Sequence, residues 1–173
     1  VYEDLVDWVN RAGASTTVFL FAYSLGKAQR VLCELQDFDV KKDIRVHSSV
    51  KKMNEAYRSV GVNLPVYDQA DLRTKDFHGD VVVAPPGVRE STKVQRLSNM
   101  QSSLISGWMR VRGNQRWRSY DNGFPISDHC DWHGLLESIE EANPQRVVTM
   151  HGYTEDFAKY LRQEGIEAEA WDV

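Results

Sequence analysis

The stretch that decides the fold class runs from Thr16 to Leu35: Thr16-Thr17-Val18-Phe19-Leu20-Phe21, then Ala22-Tyr23-Ser24-Leu25-Gly26-Lys27, then Ala28 onward. The first six residues are mostly β-branched or aromatic, which predicts a buried strand. Ser24 is placed to cap the helix that follows. Leu25, Ala28, Val31, Leu32 and Leu35 recur at helical spacing and give that helix one apolar stripe. A buried strand handed on to an amphipathic helix is the repeating unit of an α/β protein.

The same alternation extends in both directions. Tyr2 to Arg11 reads as a helix, with Leu5, Val6, Trp8 and Val9 apolar. Downstream, Ile44–His47 reads as a short strand and Val50–Val60 as a helix stopped by Gly61. Leu64–Tyr67 is extended, Asp80–Ala84 is a strand closed by Pro85-Pro86-Gly87, and Ser102–Val111 is a further strand. Arg112 to Asn122 is polar, with Gly113 and Asn122-Gly123 as turn signals. Phe124–Ser127 is a strand, and Asp131 caps a helix that carries Trp132, Leu135, Leu136 and Ile139 and ends at Asn143-Pro144. Val147–Met150, Thr154–Gln163 and Ile166–Trp171 complete the pattern as strand, helix and strand. A soft boundary falls between residues 100 and 112.

Composition sets the limits. The 173 residues are 42 % hydrophobic and 27 % charged, the make-up of an ordinary globular chain of one core, or one core and a small lobe. No apolar run reaches the roughly 18 residues of a membrane span, and no leader segment is evident. Two cysteines, Cys33 and Cys130, lie at no metal-binding spacing, so a reducing, cytoplasmic setting is expected. The net charge of −4 argues against nucleic-acid binding over the whole surface. Residues 89–118 nevertheless hold seven basic residues (Arg89, Lys93, Arg96, Arg110, Arg112, Arg116 and Arg118) against one acid, Glu90. That strip reads either as a solvated loop or as a local phosphate-facing surface.

Two histidines stand out as candidate chemistry. His129 follows a strand end in Ser127-Asp128-His129-Cys130-Asp131-Trp132, and His151 ends the strand Val147–Met150, one residue before Gly152. Ligands in α/β sheets bind at strand C-terminal ends, so these imidazoles can converge there. Imidazole ligates zinc or manganese, and it also protonates leaving groups near neutral pH. His47 and His78 read as structural or exposed, and His133 lies on the first turn of its helix. The Gly26-Lys27 pair lacks the remaining residues of a phosphate-cradling loop, since Phe21 and Ala28 stand at the required glycine and hydroxyl positions. Lys27 at a helix N-terminus can still meet a phosphate.

The chain resembles the C-terminal half of a metallo-β-lactamase-fold nuclease of the β-CASP type, and more closely the bacterial ligase-associated DNA exonucleases. The resemblance rests on Tyr23-Ser24-Leu25-Gly26-Lys27-Ala28-Gln29-Arg30, Ser106-Gly107-Trp108-Met109-Arg110-Val111-Arg112-Gly113, Phe124 to Trp132, and Thr149-Met150-His151-Gly152-Tyr153-Thr154-Glu155. It implies a β-CASP-like βαβ lobe over residues 1–105, then the C-terminal portion of a metallo-β-lactamase αββα fold over 106–173. It further implies His151 as a metal ligand and His129 as the acid that protonates the leaving oxygen, with Asp128 and Asp131 tuning or orienting it. Lys27, Arg110, Arg112, Arg116 and Arg118 would then contact a DNA backbone, with RNA the alternative, in DNA repair alongside a DNA ligase pathway. Two divalent ions, zinc or manganese, are implied as cofactors. The family's main His-x-His-x-Asp-His motif is absent from this sequence, so the other ligands are expected from an N-terminal half, either part of a chain about twice as long or a separate polypeptide. On that expectation this chain alone is inactive, or is a metal-free binding module.

Overall fold

The structure is a computed structural model, and it describes residues 1–73, 77, 79–111 and 120–171. The protein is α/β and divides into two compact units, Val1–Asp128 and His129–Val173. The first unit runs past the residue-105 boundary implied by the family likeness, because a strand after that point pairs back into its sheet.

That sheet has six strands: β1 Thr17–Phe21, β2 Ile44–Val46, β3 Asp68–Gln69, β4 Val81–Ala84, β5 Met100–Ile105 and β6 Asn122–Phe124. Their order is β3-β2-β4-β1-β5-β6, and every pairing is parallel. All six C-terminal ends therefore lie along one edge, where an open α/β sheet gathers its functional loops.

β1 shows why the apolar run reads as buried. Side chains alternate across a strand, so Val18 and Leu20 enter one core with Val81, Val83 and Ile105. Phe19 and Phe21 enter the other with Val82, Ala84 and Leu104. The first core is covered by α1 (Tyr2–Arg11), α2 (Lys27–Asp37) and α3 (Ser48–Ser59), through Leu5, Val6, Val9, Val31, Leu32, Leu35 and Val50. The second is closed by Phe77, Val94 and Met109. The Phe19 ring lies 5.6 Å from Phe21 and edge-on to Phe77 at 5.7 Å. Each such side chain contributes about 1.5–3 kcal/mol by leaving water.

Several boundaries differ from the sequence reading, each for a local reason. α2 begins at Lys27 behind Gly26, not behind Ser24, whose hydroxyl is bonded elsewhere. β5 stops at Ile105, because Ser106 accepts from the Trp108 amide and turns Gly107–Arg110 into a single 3₁₀ turn. β6 ends at Phe124, since Pro125 has no amide hydrogen to extend the ladder. A short helix, α4 (Thr92–Gln95), is capped by Ser91.

The second unit holds α5 (Trp132–Ala142), β7 (Val147–Met150), α6 (Thr154–Gln163) and β8 (Ala168–Trp171), with β7 and β8 parallel. Its core is Ala158, Leu161 and Ala168, ringed by half-buried apolar residues. The Trp132 ring stands edge-on to Phe157 and Tyr160, at 5.0 and 4.8 Å. No residue of α5 is fully buried, and Trp132 and Leu135 keep somewhat under half of their surface exposed. A two-stranded sheet over so small a core is marginal by itself. No helix among the described residues is long and apolar enough to cross a membrane.

Candidate nucleic-acid interface and histidine site

The loop after β1 sets the geometry of the first unit's functional edge. Gly26 takes φ +77°, which an L side chain rarely adopts, and a Cβ there would sit 2.7 Å from Asp128 Oδ2. The absence of a side chain lets the Asp128 carboxylate reach the start of α2. There Lys27, itself 4 % exposed, places Nζ 3.2 Å from Asp128 Oδ1. Two residues singled out separately by the sequence thus form one ion pair, and the lysine's charge is met inside the protein. The same ammonium lies 5.3 Å from the centre of the Tyr23 ring.

A second polar group occupies the neighbouring strand end. His47 caps α3, with Nδ1 accepting from the Ser49 amide at 3.2 Å. Because Nδ1 accepts, the Ser49 hydroxyl at 2.8 Å donates to it, and the Ser24 hydroxyl, 2.8 Å further on, completes a chain from β1 to β2. Burial lowers the His47 pKa below its ordinary value, which favours this neutral acceptor form. His47 is therefore structural, one of the two roles, structural or exposed, that the sequence allowed it. Beneath it, buried Gln29 donates to Asn54 at 2.7 Å and to the Ser24 carbonyl at 2.9 Å, joining α2 to α3.

Further basic residues lie after β5 and on the connection between β4 and β5. Arg110 ends the 3₁₀ turn after β5 and is exposed. Arg89 follows β4 and stacks its guanidinium 4.4 Å from the Tyr120 ring centre, while Lys93 and Arg96 are exposed. Arg112, Arg116, Arg118 and His78 lie outside the described residues.

In the second unit, Asp131 has a defined structural task. Its Oδ1 accepts from the Gly134 amide at 2.9 Å and caps α5. His129 is exposed in the turn before that cap, and His133 is exposed on the first turn. His151 is exposed at the end of β7 and adopts φ +62°, followed by Gly152 at φ +81°. A non-glycine residue there costs roughly 1–2 kcal/mol, and such strain concentrates at functional positions. The Thr149 hydroxyl braces the turn by donating to the carbonyls of Thr154 and Glu169. Among the described residues no group of three or more His, Cys, Asp or Glu side chains could hold a metal ion.

Sequence reasoning had passed over Tyr23 and Trp108 as single residues. Both are exposed on loops that leave adjacent strands β1 and β5. Tyr23 lies between the predicted strand and helix and could have been noted, whereas Trp108 was hidden inside the strand expected over Ser102–Val111, which in fact stops at Ile105.

No protein-family model matches the chain. A curated relative, called a probable DNA ligase, from Opitutus terrae, is 40 % identical over 149 residues. The match covers 86 % of this chain and 14 % of that protein, so the chain spans only a small part of the relative's length.

Proposed function

We propose that this chain is the nucleic-acid-gripping and acid-donating part of a metal-dependent DNA nuclease of the β-CASP metallo-β-lactamase class, working on DNA ends in step with ligation. The observation that carries the reading is the likeness, over most of the chain, to a protein named a probable DNA ligase. Ligation joins a 3′-hydroxyl to a 5′-phosphate, and a module carried with such chemistry is well placed to trim ends that cannot be joined. The Ser127–Trp132 and Thr149–Glu155 stretches support the nuclease class. The exposed Arg110, in the turn that follows β5, supports a polyanionic partner.

Within this reading His129, on an exposed turn, donates a proton to the oxygen leaving the scissile phosphate. Asp131 fixes the start of α5 two residues later, and Asp128, held by Lys27, fixes the residue just before it. Both carboxylates are positioning groups on this account, and Lys27 acts through Asp128 instead of gripping phosphate. His151 is one metal ligand. The class implies two divalent ions, zinc or manganese, which when bound would supply Lewis-acid chemistry. The residues described here do not fit that pair, since one histidine falls short of the three or more protein ligands a catalytic metal takes. The remaining ligands belong to another segment or a partner polypeptide.

The test is a pair of variants in the complete protein, supplied with Mn²⁺ or Zn²⁺. His129→Ala should abolish DNA hydrolysis while metal content stays the same. His151→Ala should lower metal occupancy. The reverse pattern would exchange the two roles. A second reading, a binding module with no hydrolytic part, is the one consistent with the described residues alone, among which no ligand cluster occurs. It predicts full DNA affinity and no dependence of any cleavage on His129.

A further inference from the structure

Aromatic rings are costly to leave in water, and the first unit hides nearly all of its own. Phe19, Phe21, Phe77 and Phe124 are buried, and Trp8, Tyr2, Tyr57, Tyr67 and Tyr120 are half-buried. Among its described aromatic residues only two exceed half exposure, Tyr23 at 61 % and Trp108 at 70 %. Both lie at the C-terminal edge of the sheet. β1 and β5 are hydrogen-bonded neighbours, with Phe21 opposite Leu104, and the two rings follow within a few residues of those positions. Neighbouring strands stand about 4.8 Å apart, so one extended ligand can meet both loops.

Neither ring is carried on a loose tether. Tyr23 packs against the ammonium of buried Lys27, which Asp128 holds in turn. Trp108 sits inside the 3₁₀ turn fixed by Ser106, whose hydroxyl accepts from the Trp108 amide and whose carbonyl accepts from the Met109 amide at 2.9 Å. Leu25, also exposed at 62 %, extends the apolar surface beside Tyr23. Arg110, two residues beyond Trp108, adds an exposed cation beside that ring, on a chain whose net charge is −4. Flat aromatic faces beside an exposed guanidinium match the two chemical halves of an unpaired nucleotide, base and phosphate. A duplex keeps its base faces stacked internally and cannot use them.

We infer that Tyr23 and Trp108 form a base-stacking platform, so that this edge holds DNA as a single strand. The inference deepens the nucleic-acid reading above and rests on it. It assigns the aromatic rings the gripping of bases and leaves a phosphate to Arg110.

The experiment measures binding of a fluorescent oligo-dT strand of about 16 nucleotides, and of a matched duplex, to the full 173-residue chain. The variants are Tyr23→Leu, Trp108→Leu and Tyr23→Phe. A parallel strand carrying 5-iododeoxyuridine is photocrosslinked and the attachment sites are mapped by mass spectrometry. Each leucine variant should weaken strand binding about tenfold, from the worth of one stacked base, and leave duplex binding unchanged. Tyr23→Phe should bind as the wild type does, and crosslinks should fall on Tyr23 and Trp108. If the wild type binds the strand but the leucine variants bind it equally well, the platform is wrong and the nucleic-acid reading stands. If the wild type binds neither strand nor duplex, both are overturned.

Discussion

Replacing Gly26 by alanine tests how the sheet edge is built. Two costs can be worked from the structure. The backbone at φ +77° penalises any L side chain by about 1–2 kcal/mol. The new Cβ would also lie 2.7 Å from Asp128 Oδ2, well inside the roughly 3.3 Å of a close C···O contact. The carboxylate must therefore withdraw from Lys27, whose side chain is 5 % exposed, against 29 % for Asp128. Breaking a fully buried pair costs about 3–5 kcal/mol. Solvent reaches the aspartate, so about 1–2 kcal/mol is the better figure here. The total is about 2–4 kcal/mol, a large fraction of a domain's 5–15. At about 2 kcal/mol per molar of urea, the middle of the usual range, the unfolding midpoint should fall by roughly 1–2 M. A double-mutant cycle separates the terms. In an Asp128→Ala background, Gly26→Ala should cost only the backbone strain. An equal cost in both backgrounds would refute the claim that Gly26 makes room for Asp128.

Three further outcomes follow from the geometry. The lowered His47 pKa means that the unfolded chain takes up protons first, so acidification destabilises the fold. Stability should fall as pH drops through the ordinary imidazole value of about 6.5 and level off below the lower folded value, whereas His47→Asn, which keeps a cap without the titration, should flatten that part of a pH series of thermal melts. Asp131→Ala should cost about 1 kcal/mol by removing the α5 cap, with Asp131→Ser restoring most of it in urea titrations. At His151, with φ +62°, a β-branched residue is penalised and asparagine is tolerated, so His151→Val should be less stable than His151→Asn by about 1–2 kcal/mol in the same titrations.

Much of this architecture is written locally. β1 is legible because the run from Thr17 to Phe21 has no polar position that must face water, and α5 because Asp131 opens it and Asn143, at φ +42°, closes it before Pro144. The order β3-β2-β4-β1-β5-β6 is not local information. β4 inserts between β1 and β2, although two strands separate it from β1 in sequence. β3 is two exposed polar residues, Asp68 and Gln69, recognisable only from the strand they pair with.

The site divides the same way. Asp131 is readable as a cap from its position before an apolar helix. The Lys27–Asp128 pair is not, because its partners come from distant parts of the chain and its spacing depends on a missing side chain at Gly26. Ser24 illustrates the competition. Alone it looks like a helix cap, but the hydroxyl of Ser49 claims it across two strand ends.

The central claim is that His129 supplies the proton in metal-dependent hydrolysis of DNA. End-labelled DNA incubated with the complete protein and Mn²⁺ tests it most directly, comparing wild type with His129→Ala at equal metal loading. The account predicts nucleotide release by the wild type, stopped by a chelator, and loss of that release in the variant. Intact DNA with the metal-loaded wild type, or cleavage by His129→Ala at the wild-type rate, would contradict it.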